Sequence, residues 1–168
     1  MKRMLKKVLG KNAADAVRPY FPMTRSKWKL ILIKRRFKEF GERSTITSPS
    51  IFQGMENISI GKDSDIGAFV HIWGNGGVTI GDGVLIASHV VITSLTHSYS
   101  GKQIKNAPTV AAPIHIDNGV WIGAHAVIMP GVTIGEGAVI GAGAIVTSNV
   151  PAMAIAVGVP ARIIKYRE

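Results

Sequence analysis

From Ile116 onward the hydrophobic pattern is periodic. Ile116, Ile122, Ile128, Ile134, Ile140 and Val146 recur every six residues, and Gly123, Gly135 and Gly141 each follow their aliphatic directly. Four places after the aliphatics stand Val120, Ala126, Val132, Ala138, Ala144 and Val150, all small or β-branched. Upstream, Ile60 and Ile66 begin the same pattern with Gly61 and Gly67, and Ile80, Ile86 and Ile92 resume it after a two-residue slip at Gly74–Gly77. A period of six fits neither the roughly 3.6 residues of a helical turn nor the alternation of a simple strand. It fits short strand, turn, short strand, with each hexad forming one side of a triangular coil. The aliphatic points into the prism, the small residue packs at the corner, and glycine tolerates the turn. Three hexads, eighteen residues, then complete a coil, and the stacked aliphatics predict a mainly β, parallel β-helix over residues 44–168.

Composition refines this picture through its distribution. The chain has 168 residues and a net charge of +10. Residues 1–43 hold fourteen Lys/Arg against Asp15, Glu39 and Glu42, whereas residues 44–168 hold six against seven acids. The basicity belongs to an N-terminal appendage and gives no reason to expect nucleic acid at the prism. Within the appendage, Met1, Met4, Leu5, Val8 and Leu9 fall at helical spacing, and residues 25–40 repeat the theme with Trp28, Leu32, Phe37 and Phe40 among basic side chains. Pro19 and Pro22 separate the two. Residues 1–43 therefore read as a helical basic segment with two open uses: peripheral contact with an anionic membrane, or packing on the first coil with a solvated basic face. With no cysteine, disulfides, thiolate zinc sites and a Cys acyl-enzyme are excluded. No apolar run approaches the roughly 18 to 20 residues of a membrane span, and no signal-peptide core opens the chain, so the expected location is cytoplasmic, at the inner face of the membrane if residues 1–43 bind it.

The hexads break between Ile92 and Ile116, where polar, Gly and Pro residues predict a loop, 93–115, extruded from one corner. Chemistry tends to sit on loops held by a rigid scaffold, and this loop carries Thr96-His97-Ser98-Tyr99. Downstream come Val120-Trp121-Ile122-Gly123 and, in the tail 151–168, Gly158-Val159-Pro160-Ala161-Arg162. No Lys or Arg lies between Lys105 and Arg162, after which Arg162, Lys165 and Arg167 cluster, as binding of a phosphate-bearing ligand would require.

These segments, in this order, resemble the left-handed β-helix (hexapeptide-repeat) acyltransferase family, and the chain is similar to its galactoside, maltose and polysaccharide O-acetyltransferases over residues 57–165. The resemblance implies a left-handed coil, a homotrimer with sites between neighbouring prisms, and acetyl-CoA as donor. It implies direct transfer to a hydroxyl of a sugar, polysaccharide precursor or lipid-linked sugar, with His97 as general base. By the same resemblance Trp121, Ala124, Ala142, Thr147 and Ser148 border the pantetheine arm, and Arg162 and Lys165 contact the phosphates. A neutral imidazole can take the hydroxyl proton at neutral pH. Its second nitrogen needs an acceptor to fix the tautomer, and with no acid near His97 in sequence a backbone carbonyl is expected.

One departure concerns the acceptor. Galactoside-type enzymes place an acceptor-binding Asn where this chain has Gly67, which leaves His71, Trp73 and Asn75, beside the first slip, as candidates for either acceptor contact or packing. His89, His115 and His125 read as ordinary prism residues. A γ-carbonic anhydrase shares the prism but pairs histidines five positions apart, a spacing absent among His71, His89, His97, His115 and His125. No metal is expected. A non-catalytic assembly prism, or a nucleotidyltransferase fragment without its Rossmann-like half, are the other readings of the repeat.

Overall fold

Each hexad folds into one short strand and one turn, since two or three extended residues are all that fit along one side of a narrow prism. The computed structural model describes residues 32–168. The helix expected over residues 1–9, and residues 25–31 of the second basic stretch, lie outside the described residues.

The first coil runs through β1 (Glu39–Phe40), β2 (Thr45–Ile46) and β3 (Ile51–Gln53), the second through β4 (Ile58–Ile60), β5 (Asp65–Ile66) and β6 (His71–Trp73). β7 (Val78–Ile80), β8 (Leu85–Ile86) and β9 (Val91–Thr93) make the third. A hairpin, β10 (Leu95–His97) and β11 (Thr109–Ala111), then leaves the prism. Winding resumes with β12 (Ile114–Ile116), β13 (Trp121–Ile122) and β14 (Val127–Ile128), then β15 (Thr133–Ile134), β16 (Val139–Ile140) and β17 (Ile145–Val146). A last partial coil holds β18 (Ala154–Val157), and β19 (Arg162–Tyr166) turns back on it antiparallel. The result is a parallel β-solenoid of about six turns with three sheets of five, seven and five strands, consistent with a left-handed β-helix. Ile60, Ile80, Ile116 and Ile134 stack in one sheet, Ile66, Ile86, Ile122 and Ile140 in the next, Ile72, Ile92 and Ile128 in the third, and all are buried. Each such isoleucine is worth about 1.5–3 kcal/mol of burial.

Two expectations are corrected. The eighteen-residue coil holds only from β12 on: Ile116 sits under Ile134, but Ile46, Ile66 and Ile86 are stacked 20 residues apart. The extra pair lies at the third corner of each early coil, where Gly54 and Gly77 adopt the left-handed conformation with φ of 63° and 94°. The hairpin leaves from the same corner one coil higher. The prism also begins before residue 44. Phe40 is paired with Ile60 in β1, and buried Phe37 packs edge-on against Phe40 and Phe52 at 5.4 and 5.2 Å, closing the lower end. Residues 32–34 are helical, but the helical pattern does not continue to Phe40, because Phe40-Gly41 is already a repeat step 20 residues below Ile60-Gly61.

The outward rows of the three sheets differ in chemistry. Glu39, Ser59, Thr79, His115 and Thr133 make the first polar. The second carries Leu85, Trp121, Val139 and Ile155 above Asp65, and the third Ile51, Val91, Val127 and Ile145 around His71. The corner between these apolar faces is marked by Phe69, His89 and His125, all left-handed, with rings stacked at 4.8 and 4.6 Å. His89 and His125 are thus corner residues of the prism, and His115 faces outward from the polar sheet.

Candidate active site

The extruded segment is an ordered hairpin in which His97 pairs with Thr109. Its stem is fixed by two buried hydroxyls. Ser94 Oγ donates to the Trp73 carbonyl at 2.7 Å and accepts from the Gly76 N–H at 2.9 Å, and Thr93 Oγ1 donates to the Leu95 carbonyl at 2.8 Å. The two Ser94 bonds tie the hairpin to the expanded corner of the coil below, and the Thr93 bond is local to its first strand. Beneath its overhang lies an open pocket of about 210 Å³ lined by Gln53, Trp73, Leu95, Thr96, His97 and Thr109.

His97 is exposed at the mouth of this pocket. The carbonyl expected to fix its tautomer is not found: among the described residues, no group hydrogen-bonds the imidazole. Of the three acceptor candidates the fold brings one, Trp73, into the pocket with His97. His71 stands beside Trp73, ring edge to ring face at 4.8 Å, and Asn75 is exposed on the neighbouring corner outside the pocket lining. Gln53 escaped the sequence reading. Its signal is the 20-residue register that places it directly below Trp73, visible only once the coil length is known.

The remaining candidates lie away from His97 within one chain. Trp121, half exposed, stands in the apolar outward row of the second sheet, directly above Leu85. Ala124 and Ala142 occupy the same corner of successive coils, with the Gly143 N–H donating to the Ala124 carbonyl at 2.8 Å. Thr147 and Ser148 follow β17, exposed at the next corner. In the C-terminal ribbon Arg162 is opposite Val157 and Lys165 opposite Ile155, with a register shift between them. Arg167 is occupied differently: its Nη1 donates to the Gly137 carbonyl at 2.6 Å.

Residues 57–94 match the family described as hexapeptide repeat of succinyl-transferase, and residues 113–148 match bacterial transferase hexapeptide (six repeats). A galactoside O-acetyltransferase of Escherichia coli (strain K12) is 43% identical over 134 residues, 80% of this chain and 66% of that protein. The solved structure of a galactoside acetyltransferase in complex with coenzyme A superposes with a TM-score of 0.81 at 37% identity, covering 88% of this chain and 74% of that one. The chain belongs to the hexapeptide-repeat acetyltransferases. A maltose O-acetyltransferase from Clostridium difficile 630 superposes equally well, with a TM-score of 0.81 at 25% identity over 99% of this chain and 84% of that one. The chain spans about two thirds of the length of the Escherichia coli relative.

In this hexapeptide-repeat acetyltransferase the backbone of the next coil closes over Gly67, as it does over Gly123 and Gly135. A Cβ at Gly67 would lie 2.7 Å from the Ser88 backbone nitrogen, so the backbone as it stands admits no side chain. Instead an open groove of about 470 Å³ runs past Thr45, Asp65, Gly67, Leu85 and Ser88 on the second sheet.

Proposed function

We propose that this protein is an acetyl-CoA-dependent O-acetyltransferase acting on a hydroxyl of a sugar or polysaccharide precursor, with His97 as general base. The observation that carries the reading is the position of His97, on an ordered hairpin strand over a mixed polar and apolar pocket. The imidazole takes the acceptor's hydroxyl proton as the oxygen bonds to the thioester carbonyl carbon. Collapse of the tetrahedral species breaks the C–S bond, and the imidazolium returns the proton to the departing CoA thiolate. The names of the galactoside and maltose relatives support a sugar acceptor, and the CoA complex of one of them supports the donor.

A homotrimer is part of the proposal. Two adjacent faces of the prism are apolar and the third is polar, which suits each prism to two neighbours. Packing the third sheet of one prism against the second sheet of the next faces His97 and Trp73 toward the neighbour's Trp121 and its Gly67 groove. The CoA contacts proposed for Ala124, Ala142, Thr147, Ser148, Arg162 and Lys165 then belong to a cleft between chains. The partner needed by the second nitrogen of His97 would come from the same neighbour.

The test is CoA release against a panel of sugars and amino alcohols, with wild type and His97→Ala side by side. A loss of roughly 10² to 10⁴ in kcat is expected. Equal rates in the two proteins would remove His97 from the mechanism.

No helix among the described residues is long and apolar enough to cross a membrane. Peripheral binding through the basic appendage is proposed on its charge, as a route to lipid-linked acceptors at the cytoplasmic face. In the full-length protein, replacing Lys2, Arg3, Lys6 and Lys7 by Glu should abolish co-sedimentation with phosphatidylserine vesicles, and unchanged partitioning would sink the idea.

A further inference from the structure

The floor and roof of the His97 pocket come from different parts of the repeat. Gln53, Trp73 and Thr93 are stacked in register on the outer face of the third sheet, and the hairpin carrying Leu95, Thr96, His97 and Thr109 overhangs them. The indole of Trp73 is the largest apolar surface in the pocket, and 38% of the residue is exposed. Leu95 adds to the apolar wall. The amide of Gln53 and the hydroxyls of Thr96 and Thr109 complete the lining with His97.

Trp73 is held from the side. His71 meets it at 4.8 Å with the ring planes at 71°, and the imidazole itself sits in register between Ile51 and Val91. Its Nε2 is buried and has no hydrogen-bond partner. A buried unpaired nitrogen is destabilising, so packing alone would be better served by an aliphatic residue like those above and below it. What the imidazole supplies there is a T-shaped ring contact with the indole.

Gly67 lies outside this pocket, in the groove of the second sheet. Gly67 cannot carry a side chain without displacing the Ser88 backbone, so a polar contact from that position is closed to this chain. Within one chain, the residues that share a pocket with His97 lie on the Trp73 side. One flat apolar surface bordered by hydroxyl and amide groups is complementary to a pyranose, which has an apolar C–H face and a rim of hydroxyls. The pocket of about 210 Å³ is open on one side and smaller than the roughly 300–1,000 Å³ of sites that enclose larger ligands, which suits it to part of an acceptor.

We infer that Trp73 is the stacking platform that selects a single pyranose ring for acetylation, and that His71 is a positioning residue that holds the indole in place. This rests on the acetyltransferase reading of the same pocket and adds to it a source of specificity. A longer acceptor would present one terminal ring and leave the rest outside the hairpin.

The test compares kcat/KM for a methyl pyranoside with that for an acyclic polyol, in full-length wild type, Trp73→Ala, Trp73→Phe and His71→Asn. Trp73→Ala should lower the pyranoside-to-polyol ratio about tenfold through the pyranoside KM, with the KM for acetyl-CoA held. Trp73→Phe, which keeps a ring face, should recover most of the ratio. His71→Asn should fall between the two, again through KM rather than kcat. An unchanged ratio in Trp73→Ala overturns the platform. So does a parallel loss toward both acceptors with a shifted acetyl-CoA KM, which would mark Trp73 as structural. Indifference of every acceptor to His97→Ala would instead overturn the active-site reading while leaving the Trp73 ratio measurable.

Discussion

Arg162 and Lys165 point to the same side of the C-terminal ribbon although they are three residues apart in one strand. Regular alternation would place them on opposite faces. The register shift between the Ile155 and Ala156 pairs inserts Ile164 as an extra residue, and both basic side chains end on the outer face with Ile155 and Val157. That face continues the row of Val139, Trp121 and Leu85, so a ligand lying along the second sheet meets an apolar track and then two cations.

If this pair binds the phosphates of CoA, Arg162→Ala and Lys165→Ala should each raise the KM for acetyl-CoA about tenfold. The effect should shrink as salt rises. Arg167→Ala should lower thermal stability with little change in that KM, because its guanidinium is engaged with the Gly137 carbonyl. Steady-state kinetics over a salt series separates the three.

The proposed trimer would rest on the apolar third face. Val127 projects outward between Val91 and Ile145 in the middle of that row. Val127→Glu should convert a trimer to monomers by light scattering, since an unpaired charge in a desolvated interface is strongly disfavoured. Thr79→Glu, in the outward row of the polar face, should leave the mass unchanged.

Ser94→Ala tests the hairpin stem. It leaves the Gly76 N–H and the Trp73 carbonyl without their hydroxyl partner at a buried position. A loss of about 1–3 kcal/mol is expected by chemical denaturation. Because Ser94 Oγ anchors the base of the hairpin that carries His97, kcat should fall as well, even well below the melting temperature.

Arg43 and Asp63 occupy left-handed positions on adjacent coils of one corner, joined by two hydrogen bonds from the guanidinium at 2.5 Å. Those bonds hold the Asp63 carboxyl below the usual carboxylate range. A lowered folded-state pKa gives stability that is present above the unfolded value and lost as pH falls through the folded one. The melting-temperature difference between wild type and Asp63→Asn should therefore be small and constant near neutral pH and vanish in strong acid. Exposure of both groups keeps it small.

The core should show the cost of a stacked architecture most clearly at Ile122, buried between Ile86 and Ile140. Ile122→Ala should destabilise by about 2–5 kcal/mol, read from denaturant midpoints.

The amino-acid sequence alone determined the prism, because one aliphatic per side and a small residue per corner are local requirements that every coil must repeat. Its interruption likewise marked where a loop would leave, and His97 was found there. The first strand was less legible, since Phe40 stands where other coils have isoleucine and lies 20 residues below Ile60. Tertiary structure decided what meets what. Gln53 joined the His97 pocket, and Asn75 did not, because coil length sets which side chains stack across the turns, and two extra residues at one corner are invisible to a count of six. The outward bulge that aligns Arg162 with Lys165, and the backbone approach that bars a side chain at Gly67, are likewise relations between strands distant in the chain. A repeat specifies its own period, but its register with the next coil is fixed only when the strands pair.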